Sequence, residues 1–249
     1  LDLTAYKPLQ MRRRITSFVL REARGDAEAF IKALGVDSNL LAATRDMLTI
    51  NVTDFFRDPA QWQLLERQVL PSLLTARKGL KVWSAGCSRG QEAVSLAIAL
   101  DRAGVLPASR ILATDFDREV LAKARAGGPY RADEMRGMPP ADRARYFEQT
   151  PEGYRVDRRL MSSIRFAELN LLRDRFDREF DLIVCRNVMI YFENEVKSGL
   201  IRRFREALRP DGLLFIGATE ALIGSDLEGL QRVGGNFYRR LPEGRRIAA

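Results

Sequence analysis

Two acids stand where ligand chemistry would need them. Glu92 closes the turn Gly86-Cys-Ser-Arg-Gly90-Gln-Glu92, and Asp115 ends the run Arg110-Ile-Leu-Ala-Thr-Asp115. A glycine-bearing turn between a strand and a helix aims backbone N–H groups and a helix N-terminus at the carboxyl edge of a sheet. This turn is neither the G-x-G-x-x-G dinucleotide fingerprint nor a phosphate-binding loop, since no Gly-Lys-Ser/Thr follows. A carboxylate at Glu92 would repel a pyrophosphate and suits a ligand carrying positive charge. Asp115 can accept hydrogen bonds from both hydroxyls of a ribose, a charge-assisted bond of this kind contributing ~1.5–3 kcal/mol. A lone acid after a strand commonly does no more than begin a turn. The two acids together point to a nucleoside with a cationic centre, and S-adenosylmethionine has adenine, ribose, a sulfonium and an ammonium, and no phosphate.

The chain has no histidine and two cysteines, Cys87 and Cys185. Ser-His-Asp and Cys-His catalysis, histidine-ligated zinc and an imidazole proton shuttle are excluded, and no metal site is expected. Two cysteines are too few for a disulfide framework, which fits a reducing cytoplasm. They read as small buried residues beside the crevice, not as nucleophiles. Lys and Arg number 41 against 33 Asp and Glu, a net charge of +8. That balance favours an acidic partner without choosing among nucleic acid, anionic membrane and acidic protein. No apolar run approaches the roughly 20 residues of a membrane span, and no secretory signal opens the chain. Leu1 in place of Met suggests a processed boundary with further sequence upstream.

The elements that must position these acids follow from periodicity. A chain of 249 residues, 46% hydrophobic and 30% charged, is expected to form one large globular domain with a small accessory. Met11, Ile15, Phe18 and Val19 share one helical face, with Arg12, Arg13, Arg14 and Arg21 on the remainder. Helices over about 26–34, stopping at Gly35, and 39–48 complete a helical segment, residues 1–50. Residues 51–249 form the second domain, an α/β fold with a mostly parallel, doubly wound sheet. Its strands are expected at 80–85, 110–114, 180–185 and 213–218, alternating with helices. Asp117 is the expected cap of the helix carrying Val120, Leu121 and Ala124. Tyr154-Arg-Val-Asp and Ser163-Ile-Arg-Phe166 read as short antiparallel strands of a small β insertion at about 147–167.

Several blocks resemble one family. Asn51-Val-Thr-Asp-Phe-Phe-Arg-Asp58, Trp83-Ser-Ala-Gly-Cys-Ser-Arg-Gly-Gln-Glu92, Ala113-Thr-Asp-Phe-Asp117, Asn170-Leu-Leu172 and Cys185-Arg-Asn-Val-Met-Ile-Tyr-Phe192 are similar, in order from about Leu3 to Arg240, to CheR. These are the S-adenosylmethionine-dependent chemotaxis receptor glutamate methyltransferases, of the class I (Rossmann-like) fold. The resemblance implies cofactor contacts at Asn51, Thr53, Arg57, Ala85, Glu92, Asp115, Asn170, Leu171, Asn187 and Val188. Glu92 would lie near the methionine ammonium, Asp115 would hold the ribose, and Asn170 and Leu171 would border adenine. Arg57, Arg186 and Tyr191 would stand beside the methyl group and the incoming glutamate. A glutamate with a reference pKa of about 4.3 is already a carboxylate at neutral pH, so no general base is required. Arg57 could grip that carboxylate through its planar fork and the Tyr191 hydroxyl orient it. Phe55, Phe56, Met189 and Phe192 are expected to be packing residues. The sequence departs from the family turn at Arg89, Gln91, Ala93 and Val94, where Thr, Glu, Pro and Tyr are more usual. The family's first N-terminal helix is also expected to be missing.

The implied partner is the acidic helical bundle of a chemoreceptor's cytoplasmic domain. The arginine face of 11–21 is either its docking surface or a solvated face. The hairpin Thr150-Pro-Glu-Gly-Tyr154 is shorter than in relatives that bind a C-terminal pentapeptide, so recognition without that tether, by a cytoplasmic monomer, is expected. Two rivals stand. A nucleic-acid methyltransferase would suit the charge, but Arg186-Asn187-Val188-Met189 lacks the Asp/Asn-Pro-Pro-Tyr of adenine-N6 enzymes, and neither cysteine has the Pro-Cys setting of cytosine-C5 enzymes. A non-catalytic S-adenosylmethionine- or receptor-binding module has only the altered glycine turn in its favour.

Overall fold

Apolar spacing in the first fifty residues demands helices, and helices form. The computed structural model describes residues 3–49, 51–75 and 77–242. The chain divides into two compact units, Leu1–Val52 with Tyr191–Val196, and Thr53–Ile190 with Lys197–Ala249. Of the domain ends set above, Leu1, Ile50 and Ala249 lie outside the described residues.

The first unit holds α1 (Pro8–Ala23), α2 (Ala27–Leu34) and α3 (Ser38–Thr49). Pro8 opens α1, where its missing N–H costs nothing and its fixed φ is already helical. The Asp26 carboxylate caps α2, accepting from the Ala29 N–H at 2.9 Å. Phe18, Val19 and Phe30 form the core of this unit, Phe18 and Phe30 meeting edge to face at 5.9 Å. Arg12, Arg13 and Arg21 are exposed on α1, Arg21 lying over the Phe18 ring at 4.9 Å, whereas Arg14 donates to the Met47 carbonyl. Tyr6 and Phe192 form an antiparallel bridge with rings 5.2 Å apart, and the Tyr191 carbonyl accepts from the Lys7 N–H at 2.8 Å.

The second unit opens with α4 (Pro59–Leu64), a π-helical turn over Leu65–Val69, and α5 (Leu70–Leu74). Then come β1 (Lys81–Ala85), α6 (Gln91–Arg102), β2 (Arg110–Asp115), α7 (Arg118–Ala126) and α8 (Pro140–Tyr146). The hairpin β3 (Phe147–Thr150) and β4 (Gly153–Val156), α9 (Arg158–Ser162), β5 (Ile164–Glu168) and β6 (Phe180–Cys185) follow. Last are α10 (Asn194–Ala207), β7 (Leu208–Ile216), β8 (Leu230–Gly234) and β9 (Phe237–Arg240). Seven strands form one sheet in the order β5-β2-β1-β6-β7-β9-β8, all parallel except β9. The order reverses between β1 and β6, which places a ligand crevice at their carboxyl ends.

Both sheet faces are buried, as β6 shows: every residue of it is buried, and it is apolar throughout except for Asp181. Val82, Val184 and Phe215 pack in one cluster with Val94, Leu96 and Ile98 of α6 and with Trp62 and Leu65. Trp83, one residue on from Val82, points the other way against Phe176, Phe180 and Phe204 of α10, with centroids 4.8–5.4 Å away.

Two expectations are corrected. Ser163–Phe166 does not pair with Tyr154–Asp157. β4 pairs instead with Phe147–Thr150, and β5 is the parallel edge of the main sheet beside β2. The β insertion therefore ends before Ile164. An edge strand exposes one face, so β5 alternates like an antiparallel strand and its pattern could not say which partner it takes. The second correction is at the C-terminal end, where β8 and β9 extend the sheet beyond the last strand read from the sequence. Polar and charged side chains hid them: Gln231 and Arg232 in β8 and Arg239 and Arg240 in β9 interrupt the apolar pattern.

Candidate active site

The turn after β1 is shaped by its backbone. Gly86 has φ +80°, and a Cβ there would sit 2.6 Å from Val188 Cγ2, so only glycine lets the turn and the loop after β6 approach. The Gly86 and Cys87 N–H groups both donate to the Thr114 carbonyl, at 2.8 and 2.9 Å, which ties the turn to β2. Ser88, at φ +49°, donates its N–H to Asp115 Oδ2 at 2.8 Å, while Asp117 N–H donates to Oδ1 at 3.1 Å.

Glu92 lies in the first turn of α6, 9% exposed, and accepts from the Ser84 hydroxyl at 2.8 Å. Burial pushes its carboxyl above the usual range, opposed by Arg186 and the Ser84 bond. Asp115 is buried as well, and burial raises its carboxyl despite the backbone N–H groups of Asp117 and Ser88. Both thiols, Cys87 and Cys185, are pushed far up, first by burial and then by neighbouring carboxylates, which leaves no ready thiolate.

Asn170 and Leu171 follow β5, and the neighbouring Leu169 N–H donates to the Asp115 carbonyl at 2.9 Å, which brings that segment to the end of β2. Leu171 is buried, and Asn170 turns its Oδ1 onto the Leu172 N–H at 2.9 Å. Asn187 and Val188 follow β6, Asn187 at φ +60°. Ala85, fully buried, is the last residue of β1. Thr53 and Arg57 are half-buried in the segment before α4. Arg57 lies between two non-glycine residues in the left-handed region, Phe56 at +48° and Asp58 at +59°. That strained backbone is held from both sides: Phe56 N–H donates to Ser95 Oγ at 3.0 Å, and the Arg57 carbonyl accepts from Trp62 Nε1 at 2.9 Å and Arg186 Nη2 at 2.8 Å.

Arg186 is turned inward, with its side chain 2% exposed. It bonds Asp58 Oδ2 at 2.6 Å, lies 3.9 Å from Glu92 Oε2, and covers the Phe215 ring at 4.8 Å. Asn51 and Tyr191 belong to the helical unit, where Asn51 Nδ2 donates to Thr49 Oγ1 at 2.7 Å. The sheet-bearing unit thus brings together Ala85, Glu92, Asp115, Asn187 and Val188, with Asn170 and Leu171 at the end of β2 and the Arg57 segment tied on through Arg186.

Three of the four residues at the departures from the usual turn find places. Ala93 and Val94 are fully buried in the core, and Arg89 pairs with Glu134 at 2.5 Å. Phe55, Phe56, Met189 and Phe192 are all buried. Sequence reading missed Glu220, Ser88 and Gln91. Glu220 carried no signal beyond following β7, but Ser88 and Gln91 lie inside the turn already singled out. Ser88 Oγ, Gln91 Oε1 and Asn187 Oδ1 are buried without a hydrogen-bond partner. Buried polar atoms are nearly always satisfied, so these three, on the segments that follow β1 and β6, fit a polar ligand at the carboxyl edge. A separate open cavity of about 830 Å³ lies at the amino edge of the sheet, lined among others by Lys81, Arg110, Arg165 and Phe180, and shares no residue with the crevice.

Sheet order, a phosphate-averse turn and two buried carboxylates define a class I methyltransferase crevice. A family model described as CheR methyltransferase, SAM binding domain, matches residues 51–236. The chain belongs to the CheR methyltransferase family, and S-adenosylmethionine is its cofactor. It is 40% identical over 239 residues to the chemotaxis protein methyltransferase of Listeria monocytogenes, covering 96% of this chain and 91% of that one. It is 41% identical over 182 residues to that of Escherichia coli, covering 70% and 62%. Among solved structures, a TehB-like SAM-dependent methyltransferase from Corynebacterium glutamicum is 19% identical, with 73% of this chain and 92% of that one covered and a TM-score of 0.41. That likeness is too remote to bear on the site.

Proposed function

We propose that this protein methylates glutamate side chains on the cytoplasmic helical bundle of a chemoreceptor, as part of chemotaxis-type adaptation. The observation that carries the reading is the pair of buried carboxylates, Glu92 in the first turn of the helix after β1 and Asp115 at the end of the adjacent strand β2, in a chain 40% identical to a chemotaxis protein methyltransferase. When bound, S-adenosylmethionine supplies an electrophilic methyl group on a sulfonium. Glu92 holds the cofactor's ammonium and Asp115 its ribose hydroxyls. Asn51, Thr53, Asn170, Leu171, Asn187 and Val188 complete its surroundings. Arg57 and Tyr191 orient the incoming carboxylate, which needs no base because it arrives ionised. Arg186, with its side chain buried, serves by holding the Arg57 backbone and balancing Glu92. What the protein contributes is position and a preorganised field.

The exposed arginines of α1 suit an acidic helical partner, and the two-residue hairpin turn at Pro151–Glu152 suits recognition without a pentapeptide tether, by a cytoplasmic monomer. The test is transfer of labelled methyl from S-adenosylmethionine onto receptor cytoplasmic fragments. A base-labile product on glutamate is expected. Cofactor binding with no transfer to any receptor fragment would overturn the reading in favour of a binding module. Transfer to tRNA or DNA would overturn it in favour of a nucleic-acid enzyme. Micromolar binding of a receptor C-terminal pentapeptide would overturn the tether-free part.

A further inference from the structure

The geometry points to Glu220 as a positioning residue that sets the cofactor-facing loop after β6. Glu220 follows β7 in Gly217-Ala-Thr-Glu220 and is 3% exposed. Its Oε2 accepts from the Asn187 N–H and the Gly217 N–H, each at 2.7 Å, and its Oε1 accepts from the Ile190 N–H at 3.1 Å. A carboxylate buried with three backbone donors and no ion pair among those described is an anion held in a backbone nest.

The nest determines the loop. Two of its three donors, Asn187 and Ile190, bracket the residues that leave β6, and Asn187 is held at φ +60°, a region a side chain seldom adopts without such support. The same clamp leaves Asn187 Oδ1 buried and unpartnered beside the crevice and keeps Val188 against Gly86. Gly217 completes the fit, because a Cβ there would lie 2.5 Å from Glu220 Oε2 and 2.9 Å from the Asn187 nitrogen. No neutral amide could replace the carboxylate here. A glutamine presents one oxygen and one NH2 group, so whichever way it turns, its amide hydrogens face a backbone N–H. Glu220 therefore acts on the cofactor through Asn187 and Val188 without touching it. This inference rests on the cofactor reading of the crevice.

The test compares wild-type protein with Glu220→Gln by titration calorimetry with S-adenosylhomocysteine, by amide hydrogen exchange and by steady-state kinetics. The variant is expected to bind S-adenosylhomocysteine about tenfold more weakly, the loss of one charge-assisted bond. KM for S-adenosylmethionine should rise by a similar factor with kcat at saturation nearly unchanged, and the Asn187, Ile190 and Gly217 amides should lose protection. An unchanged dissociation constant, with or without a fall in melting temperature, would reduce Glu220 to a structural group and overturn the proposal. Wild-type protein that bound no S-adenosylhomocysteine would overturn the cofactor reading and the clamp together. Glu220→Asp, which keeps the charge but is one methylene shorter, serves as a second variant under the same criteria.

Discussion

Replacing Glu92 with glutamine separates function from stability. The carboxylate is buried, receives one side-chain donor from Ser84 at 2.8 Å, and lies 3.9 Å from the Arg186 guanidinium. As the proposed ligand for the cofactor's ammonium it would supply a charge-assisted bond of ~1.5–3 kcal/mol, so Glu92→Gln should weaken S-adenosylhomocysteine roughly 10- to 150-fold. The apoprotein should behave oppositely. Burial disfavours the ionised carboxyl, and a neutral isostere removes that penalty while its oxygen still accepts from Ser84. Arg186 keeps Asp58 at 2.6 Å and the Arg57 carbonyl at 2.8 Å, so no charge is orphaned. The melting temperature of the cofactor-free variant should hold or rise. Calorimetric titration and thermal melting on the same preparation check both halves. Unchanged affinity would remove Glu92 from the cofactor site. A fall in melting temperature of many degrees would make it a structural partner of Arg186.

The carboxyls of Glu92 and Asp115 both titrate higher in the folded protein, so the native state binds protons more tightly than the unfolded chain. Their contribution to apoprotein stability should fall as pH rises from about 4.3 through the raised values, and cofactor affinity should be lost as pH falls through that window; melting and titration against pH, with Glu92→Gln showing the flatter profile, check the sign. Arg186→Met leaves Glu92 buried without its cation and the Arg57 segment untied, and should cost about 3 kcal/mol or roughly 6–12 °C in thermal melting. Pairing it with Glu92→Gln should recover part of the loss, because the two sites are in contact. Gly86→Ala adds a Cβ 2.6 Å from Val188 at φ +80°, an expected cost of about 1–3 kcal/mol with loss of S-adenosylhomocysteine binding; Val188→Ala in the same chain should restore only the steric part.

What the sequence disclosed was whatever has a local cause. The alternation of strand and helix, the Asp117 cap and the glycine turn are written in periodicity and residue type, and the structure has them within a few residues. The partner of β5 was not legible, because an exposed edge shows the same alternation whichever neighbour it takes. β8 and β9 were hidden by the charged residues they carry. Within the crevice, Glu92 and Asp115 were visible as acids beside a turn. Arg186 was visible only as a motif residue, and its inward course onto Asp58 and the Arg57 carbonyl depends on a contact 128 residues away in sequence. Glu220 had no pattern at all, since its partners are backbone N–H groups that any residue but proline supplies.

The crevice and the chain carry opposite charge, and that contrast orders the chemistry. The chain is +8 overall, yet the carboxyl edge of the sheet gathers Glu92, Asp115 and Glu220, all buried, and the buried cation found among them is Arg186. The positive excess must therefore lie elsewhere, and α1 exposes Arg12, Arg13 and Arg21 in its own unit. An anionic crevice favours a sulfonium and an ammonium and opposes phosphate, so a nucleic-acid backbone could be held on the basic surface but would be repelled where the cofactor sits. The glutamate carboxylate of the proposed substrate would escape most of that repulsion, because it brings one charge and, in that reading, meets Arg57 in the segment before α4. The proposed reaction also accounts for a chain without histidine. Glu92 and Asp115, whose affinity for protons is raised, would be stronger bases than free carboxylates, but the proposed transfer onto an ionised glutamate needs no deprotonation; in that reading their task is to hold a cation still in a low-dielectric, preorganised setting.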